Sequence, residues 1–185
     1  MSAAGLKRAF LAVVPPDDVL DAIDGLLERP KSSRFVWTRR DQWHLTLQFY
    51  GRVADIGNLM EGIRAAAAAW DPFELRIEGG GAFPNPKNGR VFWLGVGDPD
   101  ALIDLHATVA AATRTFIDRR DRISLLPHLT LARLKRATDL TPEVDVLAGA
   151  LVGVPWTVTE LLLLESETRR SGAVYSEQGR FKLGG

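Results

Sequence analysis

The tetrapeptide His-Leu-Thr-Leu occurs at residues 44–47 and again at 128–131 of this 185-residue chain, and each copy opens a run of strand-forming residues. Side chains alternate between the two faces of a strand, so the histidine and threonine of one copy share a face, and its two leucines share the other. Each copy therefore predicts a strand that is buried on one face and presents a polar pair on the other.

Strand-like and helix-like segments interleave around the two copies. Alternating and apolar runs predict strands at 10–14, 35–37, 44–50, 73–77, 128–134, 156–164 and 174–183, while a loop rich in glycine and proline at 79–89 precedes an apolar run at 91–96. Helical spacing of apolar residues predicts helices over 17–29, from 55 to 70, from 102 to 116 and from 141 onward. Leu26 belongs to the predicted inward face of the first helix, and Ala112 belongs to the predicted buried stripe of the third. The sequence lacks the glycine-rich fingerprint of a nucleotide-binding parallel sheet, and its halves are loosely alike. We therefore predict an α+β fold of two related lobes, in a single domain spanning residues 1–185.

The composition excludes several classes of protein. Hydrophobic residues make up 46% of the chain and charged residues 25%, as in ordinary globular proteins. The 23 basic residues balance the 23 acidic ones, so any nucleic-acid contact has to be local, for example at the basic pairs 39–40, 135–136 and 169–170. The chain has no cysteine, which removes disulfides and thiol catalysis. No run approaches the roughly 20 apolar residues of a membrane span, so we predict a cytoplasmic protein without membrane contact. An obligate protein partner is not expected either.

Two imidazoles and two hydroxyls suit the cleavage of a phosphodiester. Histidine has an ordinary pKa near 6.5 and can take a proton from a nucleophile or give one to a leaving oxygen. Threonine is stiff at χ1 and can hold a hydroxyl donor against a phosphoryl oxygen. We therefore predict that His44, Thr46, His128 and Thr130 meet around a small anion. Neither motif carries an acidic residue, so a metal site and a cofactor are not expected.

A third match to His-x-Thr, at His106 and Thr108, lies within a helical pattern. Residues two apart on a helix point about 200° apart, so these two side chains cannot form the same pair. We predict that His106 is structural.

Several stretches carry a family resemblance, above all FVWTRRDQWHLTLQFYG, PHLTLARL and TELLLLESETRRSGAVYSEQGRF. They resemble successive blocks of the RNA 2′,3′-cyclic phosphodiesterase family, also called LigT-like or 2′-5′ RNA ligase-like, within the two-histidine phosphoesterase superfamily. The resemblance covers nearly the whole chain. It implies a bilobal fold whose antiparallel sheets face a central groove, with the helices outside.

The resemblance also implies the role of each residue. His44 would protonate the leaving O3′, His128 would accept a proton from the attacking water, and the product would be a 2′-phosphate. Arg133 lies where family members carry an arginine that contacts the phosphate. Gln48 stands where a basic residue is frequent, which puts a phosphate contact from that position in doubt.

The expected substrate is therefore an RNA with a 2′,3′-cyclic phosphate terminus, or a small cyclic nucleotide, with reversible 2′-5′ ligation as a further activity. The alternative is a non-catalytic module that binds a nucleotide or an RNA phosphate end in the same groove. Four aromatic residues could stack a terminal base, namely Trp43, Phe49, Phe83 and Trp93, although core packing is the expectation for Phe49 and Trp93.

Overall fold

The computed structural model describes residues 6–27, 34–117, 125–169 and 172–184. These residues contain nine strands and four α-helices. The strands are β1 (Leu6–Val13), β2 (Phe35–Trp37), β3 (Leu45–Val53), β4 (Phe73–Phe83), β5 (Gly89–Gly97), β6 (Leu129–Thr138), β7 (Leu151–Val158), β8 (Glu160–Arg169) and β9 (Gly172–Lys182). The helices are α1 (Asp17–Leu26), α2 (Ile56–Ala68), α3 (Asp100–Ala112) and α4 (Thr141–Leu147).

The strands form one antiparallel sheet in the order β7-β4-β5-β6-β3-β1-β8-β9, and β2 adds to β6. The two motif-bearing strands, β3 and β6, are neighbours at its centre, so the sheet consists of two four-stranded halves that meet at the repeated tetrapeptide. This arrangement confirms the predicted α+β fold with two related halves.

The helices cover one face of the sheet only. The large hydrophobic core combines buried residues of all four helices with the inward residues of the strands, such as Leu11, Leu45 and Leu129. A separate small cluster of Phe10, Ala12 and Leu164 lies on the other face. That second face, which also bears the polar side of both motifs, is called the groove face below.

The predicted glycine and proline loop at 79–89 is wrong over its first half. Strand β4 continues to Phe83 and pairs with β5, with Gly81 opposite Trp93. A Cβ atom at Gly81 would overlap the Trp93 indole, and one at Gly80 would meet Leu147 of α4. These glycines therefore mark close packing within a strand and not a turn.

The predicted strand at 156–164 is in fact the end of β7 and the start of β8. The chain crosses at Thr159 from one half of the sheet to the other, because β7 pairs with β4 whereas β8 pairs with β1 and β9. Strand β3 also passes the predicted stop at Gly51, which adopts a φ of 63° opposite Ala9.

The helices follow the predicted patterns closely, with deviations at their ends. The Asp55 side chain caps α2 by accepting a hydrogen bond of 3.0 Å from the Asn58 amide. In α3 the predicted stripe stops early, because Ala112 is exposed and the neighbouring Thr113 is buried in its place. Leu26, predicted to be inward, is 41% exposed at the end of α1. Residues 28 and 29 of the predicted first helix lie outside the described residues.

Candidate active site

The two copies of the tetrapeptide lie side by side at the centre of the sheet. Leu45 of β3 is paired with Leu129 of β6, and both leucines are buried in the core. Residues that flank an antiparallel pair oppose one another in reverse order, so His44 lies across from Thr130 and Thr46 lies across from His128. The structure thus brings the four predicted side chains together on the groove face, where all four are partly buried.

Each imidazole is oriented by the backbone just before it. The Nδ1 of His44 lies 2.7 Å from the Gln42 carbonyl oxygen, and the Nδ1 of His128 lies 2.8 Å from the Leu126 carbonyl oxygen. A carbonyl can only accept, so in both rings Nδ1 carries a hydrogen and Nε2 is left for the groove. In His44 this Nε2 is 3.0 Å from the Thr46 hydroxyl oxygen. The site therefore presents two Nε2 atoms in the same tautomeric state.

The support of His44 extends to the far edge of the sheet. Gln42, whose carbonyl orients His44, donates from its side-chain amide to the carbonyl of Ala173 on β9. Its side-chain oxygen accepts a hydrogen bond from the Arg39 amide. These two hydrogen bonds hold Gln42 in place, and Gln42 in turn orients the His44 imidazole.

Two aromatic rings flank each histidine. The ring centroid of His44 lies 4.9 Å from that of Phe10 and 5.3 Å from that of Tyr175. The ring centroid of His128 lies 4.8 Å from that of Phe83 and 6.0 Å from that of Trp93. Sequence reasoning missed Phe10 and Tyr175, and the only signal for Phe10 was its period of two with Ala12 in β1. These rings remove water from both imidazoles.

This burial controls the charge state of the histidines. Burial lowers the pKa of His44 to about 4, and the nearby His128 acts in the same direction. Burial also lowers the pKa of His128, and the positive charge of Arg133 adds to that effect. Both imidazoles are therefore neutral at neutral pH in the empty site. A bound phosphate anion acts in the opposite direction and favours the imidazolium.

Each motif ends in a β-bulge, which changes the face of the sheet that the following residues occupy. Between β1 and β3 the register passes from Ala12 opposite Thr46 to Leu11 opposite Gln48, so Leu47 is the extra residue. The adjacent residues Leu47 and Gln48 are consequently both buried. Gln48 is paired with the core residue Leu11, which places its side chain on the core face of the sheet, where its amide donates to the Phe49 carbonyl.

The second motif contains the same bulge, with Leu131 as the extra residue between Thr130 and Ala132. In each strand the residue five after the histidine is then exposed beside the motif. It is Phe49 in β3 and Arg133 in β6. Burial raises the pKa of Tyr175, and the positive charge of Arg133 opposes that rise, just as it adds to the lowering of the pKa of His128. The predicted arginine therefore lies beside the four central residues.

The four aromatic residues named above as able to stack a base are divided between the core and the groove face. Trp43 is buried in the core. Phe83 and Trp93 instead pack beside His128, so the expectation that Trp93 packs in the core is wrong. The expectation that Phe49 packs in the core is wrong, since this side chain is 53% exposed. Its nearest ring is that of Phe10, with 6.0 Å between centroids, which places Phe49 next to the His44 side of the site.

The third His-x-Thr match is part of the helical layer, as predicted. His106 lies in α3, and its Nδ1 is 2.8 Å from the Leu47 carbonyl oxygen. Thr108 accepts a hydrogen bond of 3.1 Å from the Trp70 indole and donates to the Asp104 carbonyl. Neither residue joins the four side chains on the groove face.

The basic pairs differ in how strongly they are neutralised. Arg39 is bound by Asp41, and Arg40 is bound by Asp17 and Asp21. Arg169 forms an ion pair with Glu167, while Arg170 lies outside the described residues. The pair 135–136 in β6 is exposed, and within the described ranges no ion pair involves either residue.

Among residues 6–27, 34–117, 125–169 and 172–184, no three histidine, aspartate or glutamate side chains are grouped so that they could hold a metal ion. In the same part of the chain, no helix has the length and apolar character to cross a membrane.

Comparisons with known proteins place the chain in the family that its sequence resembles. The family model described as the 2′-5′ RNA ligase superfamily matches residues 15–170. An RNA 2′,3′-cyclic phosphodiesterase of Methanothermobacter thermautotrophicus is 32% identical over 185 residues, covering 95% of this chain and 98% of the relative. A protein of the same name from Archaeoglobus fulgidus is 32% identical over 140 residues, covering 74% of this chain and 76% of the relative.

Solved structures show the same fold. A Thermus thermophilus crystal structure has a TM-score of 0.81 and 25% identity, covering 96% of this chain and 98% of the other. The crystal structure of Escherichia coli LigT complexed with 3′-AMP has a TM-score of 0.73 and 23% identity, covering 97% of this chain and 99% of the other.

The fold and the paired motifs define a two-histidine phosphoesterase. Within that class, the chain belongs to the 2′-5′ RNA ligase superfamily.

Proposed function

We propose that this chain hydrolyses 2′,3′-cyclic phosphodiester ends of RNA to 2′-phosphomonoesters, without a metal ion, by general acid and base catalysis of two histidines. The observation that carries the proposal is that the backbone bonds of His44 and His128 occupy both Nδ1 atoms and leave both Nε2 atoms on the groove side. The names of the relatives point to the same substrate.

The reaction needs two proton transfers at opposite sides of the phosphorus. In this proposal the Nε2 of His128 takes a proton from water as the water oxygen bonds to phosphorus. The bound anion favours the imidazolium of His44, whose Nε2 then carries a proton. The bond from phosphorus to O3′ breaks, and this Nε2 gives that proton to the leaving oxygen. The 2′ ester bond is kept, so the product is a 2′-phosphate. This assignment of donor and acceptor follows the order of the motifs in the family that the chain resembles.

The remaining residues would hold the phosphate and the nucleoside. Thr46 and Thr130 lie across from the histidines and would donate to non-bridging oxygens, with the Arg133 guanidinium as a charged donor on the β6 side. The exposed Phe49 ring would lie against the base on the β3 side. Lys135 and Arg136, which form no ion pair within the described ranges, follow Arg133 along β6 and would attract upstream phosphates of an RNA chain.

The same site could also join two RNA ends. A 5′-hydroxyl that replaces water as the nucleophile would form a bond to the phosphorus while O3′ leaves, which yields a 2′-5′ linkage. His128 and His44 keep the same roles, so we include reversible 2′-5′ ligation in the proposal.

The proposal is tested by following 2′,3′-cyclic AMP with phosphorus NMR after exhaustive EDTA treatment. We expect full turnover, with 2′-AMP as the product, because the site contains proton-transfer groups and hydroxyls and no carboxylate-rich coordination sphere. Binding without turnover would favour the alternative of a non-catalytic module. A 3′-phosphate product, or activity that vanishes with EDTA and returns with a divalent ion, would contradict the mechanism.

The pH dependence follows from the lowered pKa values. Because the cyclic phosphate stays ionised, kcat/KM should trace a bell whose limbs belong to the coupled histidine pair of the free enzyme. The pKa of His44 is about 4, and that of His128 is below its ordinary 6.5, so both midpoints should fall below pH 6.5. In kcat both limbs should move to higher pH, since the bound anion favours the imidazolium. A kcat/KM profile that stays flat until well above pH 6.5 would contradict this prediction.

A further inference from the structure

The third histidine, His106, contacts the first motif from behind the sheet. Its Nδ1 lies 2.8 Å from the carbonyl oxygen of Leu47, the extra residue of the β3 bulge. A carbonyl can only accept, so His106 donates this hydrogen bond. A helix side chain therefore binds the extra residue of the bulge that lies between Thr46 and Gln48.

In the second half of the molecule, the carbonyl of the matching bulge residue is hydrogen-bonded by the backbone. Leu131 is the extra residue of the β6 bulge, and its carbonyl accepts a hydrogen bond of 2.8 Å from the backbone amide of Thr38, directly after β2. The carbonyls at the two matching positions are thus both bound, one by a neighbouring backbone and the other by the His106 side chain. The first bulge depends on a side chain that a single substitution can remove.

We infer that His106 is a positioning residue, which holds the β3 bulge and thereby keeps Phe49 on the groove face. His44 and Thr46 precede the bulge, whereas Phe49 follows it, so the effect should fall on nucleoside binding and not on proton transfer. The role assigned to Phe49 in binding the base rests on the proposed function.

Removing the donor would leave the Leu47 carbonyl without its partner beneath the sheet. A buried polar group that loses its hydrogen bond is costly, and the strand can relieve that cost by shifting its bulge. Any such shift changes the facing of Gln48 and Phe49, since the period of a strand is two. His106 would then act on the groove without touching the substrate.

The test uses three substitutions at this position and one control. In His106→Asn the amide nitrogen takes the place of Nδ1, at the same number of bonds from the backbone, and can donate to Leu47. In His106→Gln the amide lies one bond farther out, and in His106→Ala it is absent. Thr108→Ala removes a hydrogen bond of similar size from the same helix, but that bond leads to Trp70 and not to β3.

Calorimetry with 2′-AMP and with inorganic phosphate separates the nucleoside from the anion. We expect His106→Ala and His106→Gln to weaken 2′-AMP binding about tenfold, the size of one hydrogen bond, while phosphate binding stays within about twofold. KM for 2′,3′-cyclic AMP should rise in parallel, with kcat nearly unchanged. His106→Asn should restore binding, and Thr108→Ala should lower the melting temperature without weakening either ligand.

Three results would overturn the inference. They are normal 2′-AMP binding by His106→Ala, failure of a folded His106→Asn to restore it, and equal weakening of phosphate and 2′-AMP. A wild-type protein that does not bind 2′-AMP would overturn it as well, because Phe49 would then have no role in binding a base. If the binding pattern holds but the wild type does not turn over cyclic AMP, the proposed reaction fails and the role of His106 stands.

Discussion

Alanine at His44 or at His128 is expected to lower kcat for 2′,3′-cyclic AMP by about 10² to 10⁴, the usual contribution of one general acid or base. The reason is that each reaction needs one proton removed and one delivered, and these two imidazoles are the groups whose Nε2 atoms face the site. The measurement is kcat and KM for both variants, together with their melting temperatures. The double variant should be little worse than either single one, because the two histidines act as a unit.

His106 supplies the matched control for this experiment, since composition cannot distinguish the three histidines of the chain. His106→Ala should keep kcat within a few-fold of the wild type, although its KM should rise. If His44→Ala or His128→Ala kept activity within a few-fold while remaining folded, the two-histidine mechanism would be wrong. The same conclusion would follow if His106→Ala abolished kcat.

The central site could be predicted because it depends on a local rule. Alternation along a strand places His44 with Thr46 and His128 with Thr130 whatever the rest of the chain does. The pairing of Leu45 with Leu129 then brings the two faces together, and this follows from the repeat once the halves are related. The resemblance added Arg133, which no local pattern indicated.

Phe49 shows where the local rule fails. Strict alternation would continue from Thr46 to Gln48 on the groove face and would bury Phe49. The extra residue Leu47 reverses this order, so that Gln48 is only 3% exposed and Phe49 is 53% exposed. A bulge is set by pairing with a neighbouring strand and by the His106 contact from α3, and neither can be derived from the spacing within β3.

Other parts of the site depend on the order of strands in the sheet. Phe10 and Tyr175 flank His44 because β1 lies next to β3 and β9 is two strands farther out. The glycines of β4 resemble a loop in the sequence alone, since only the packing of Trp93 against Gly81 reveals why glycine is needed there. Contacts between distant segments decide these positions.

The matched bulges also explain how a nearly symmetric site can act on an asymmetric substrate. The residue five after the histidine is an aromatic ring in one strand, Phe49, and a cation in the other, Arg133. A nucleotide has an aromatic base at one end and an anionic phosphate at the other. The two halves therefore differ in the side chains that would distinguish the ends.

Arg133→Ala is accordingly expected to lower kcat/KM for 2′,3′-cyclic AMP by about 10²-fold, the loss that follows removal of one preorganised donor to a developing charge. Arg133→Lys should recover only part of this loss, because an ammonium keeps the charge but lacks the planar fork that matches two phosphoryl oxygens. Arg64→Ala is the matched control, since Arg64 pairs with Glu61 on the exposed side of α2 and should leave kcat/KM unchanged.

Arg133 also lowers the pKa of His128, so its removal has a second readout. In Arg133→Ala one limb of the kcat/KM profile should move to higher pH, because His128 no longer has a cation beside it. A loss of rate without this movement would mean that Arg133 acts only through the substrate. Activity within a few-fold of the wild type would remove Arg133 from the phosphate site altogether.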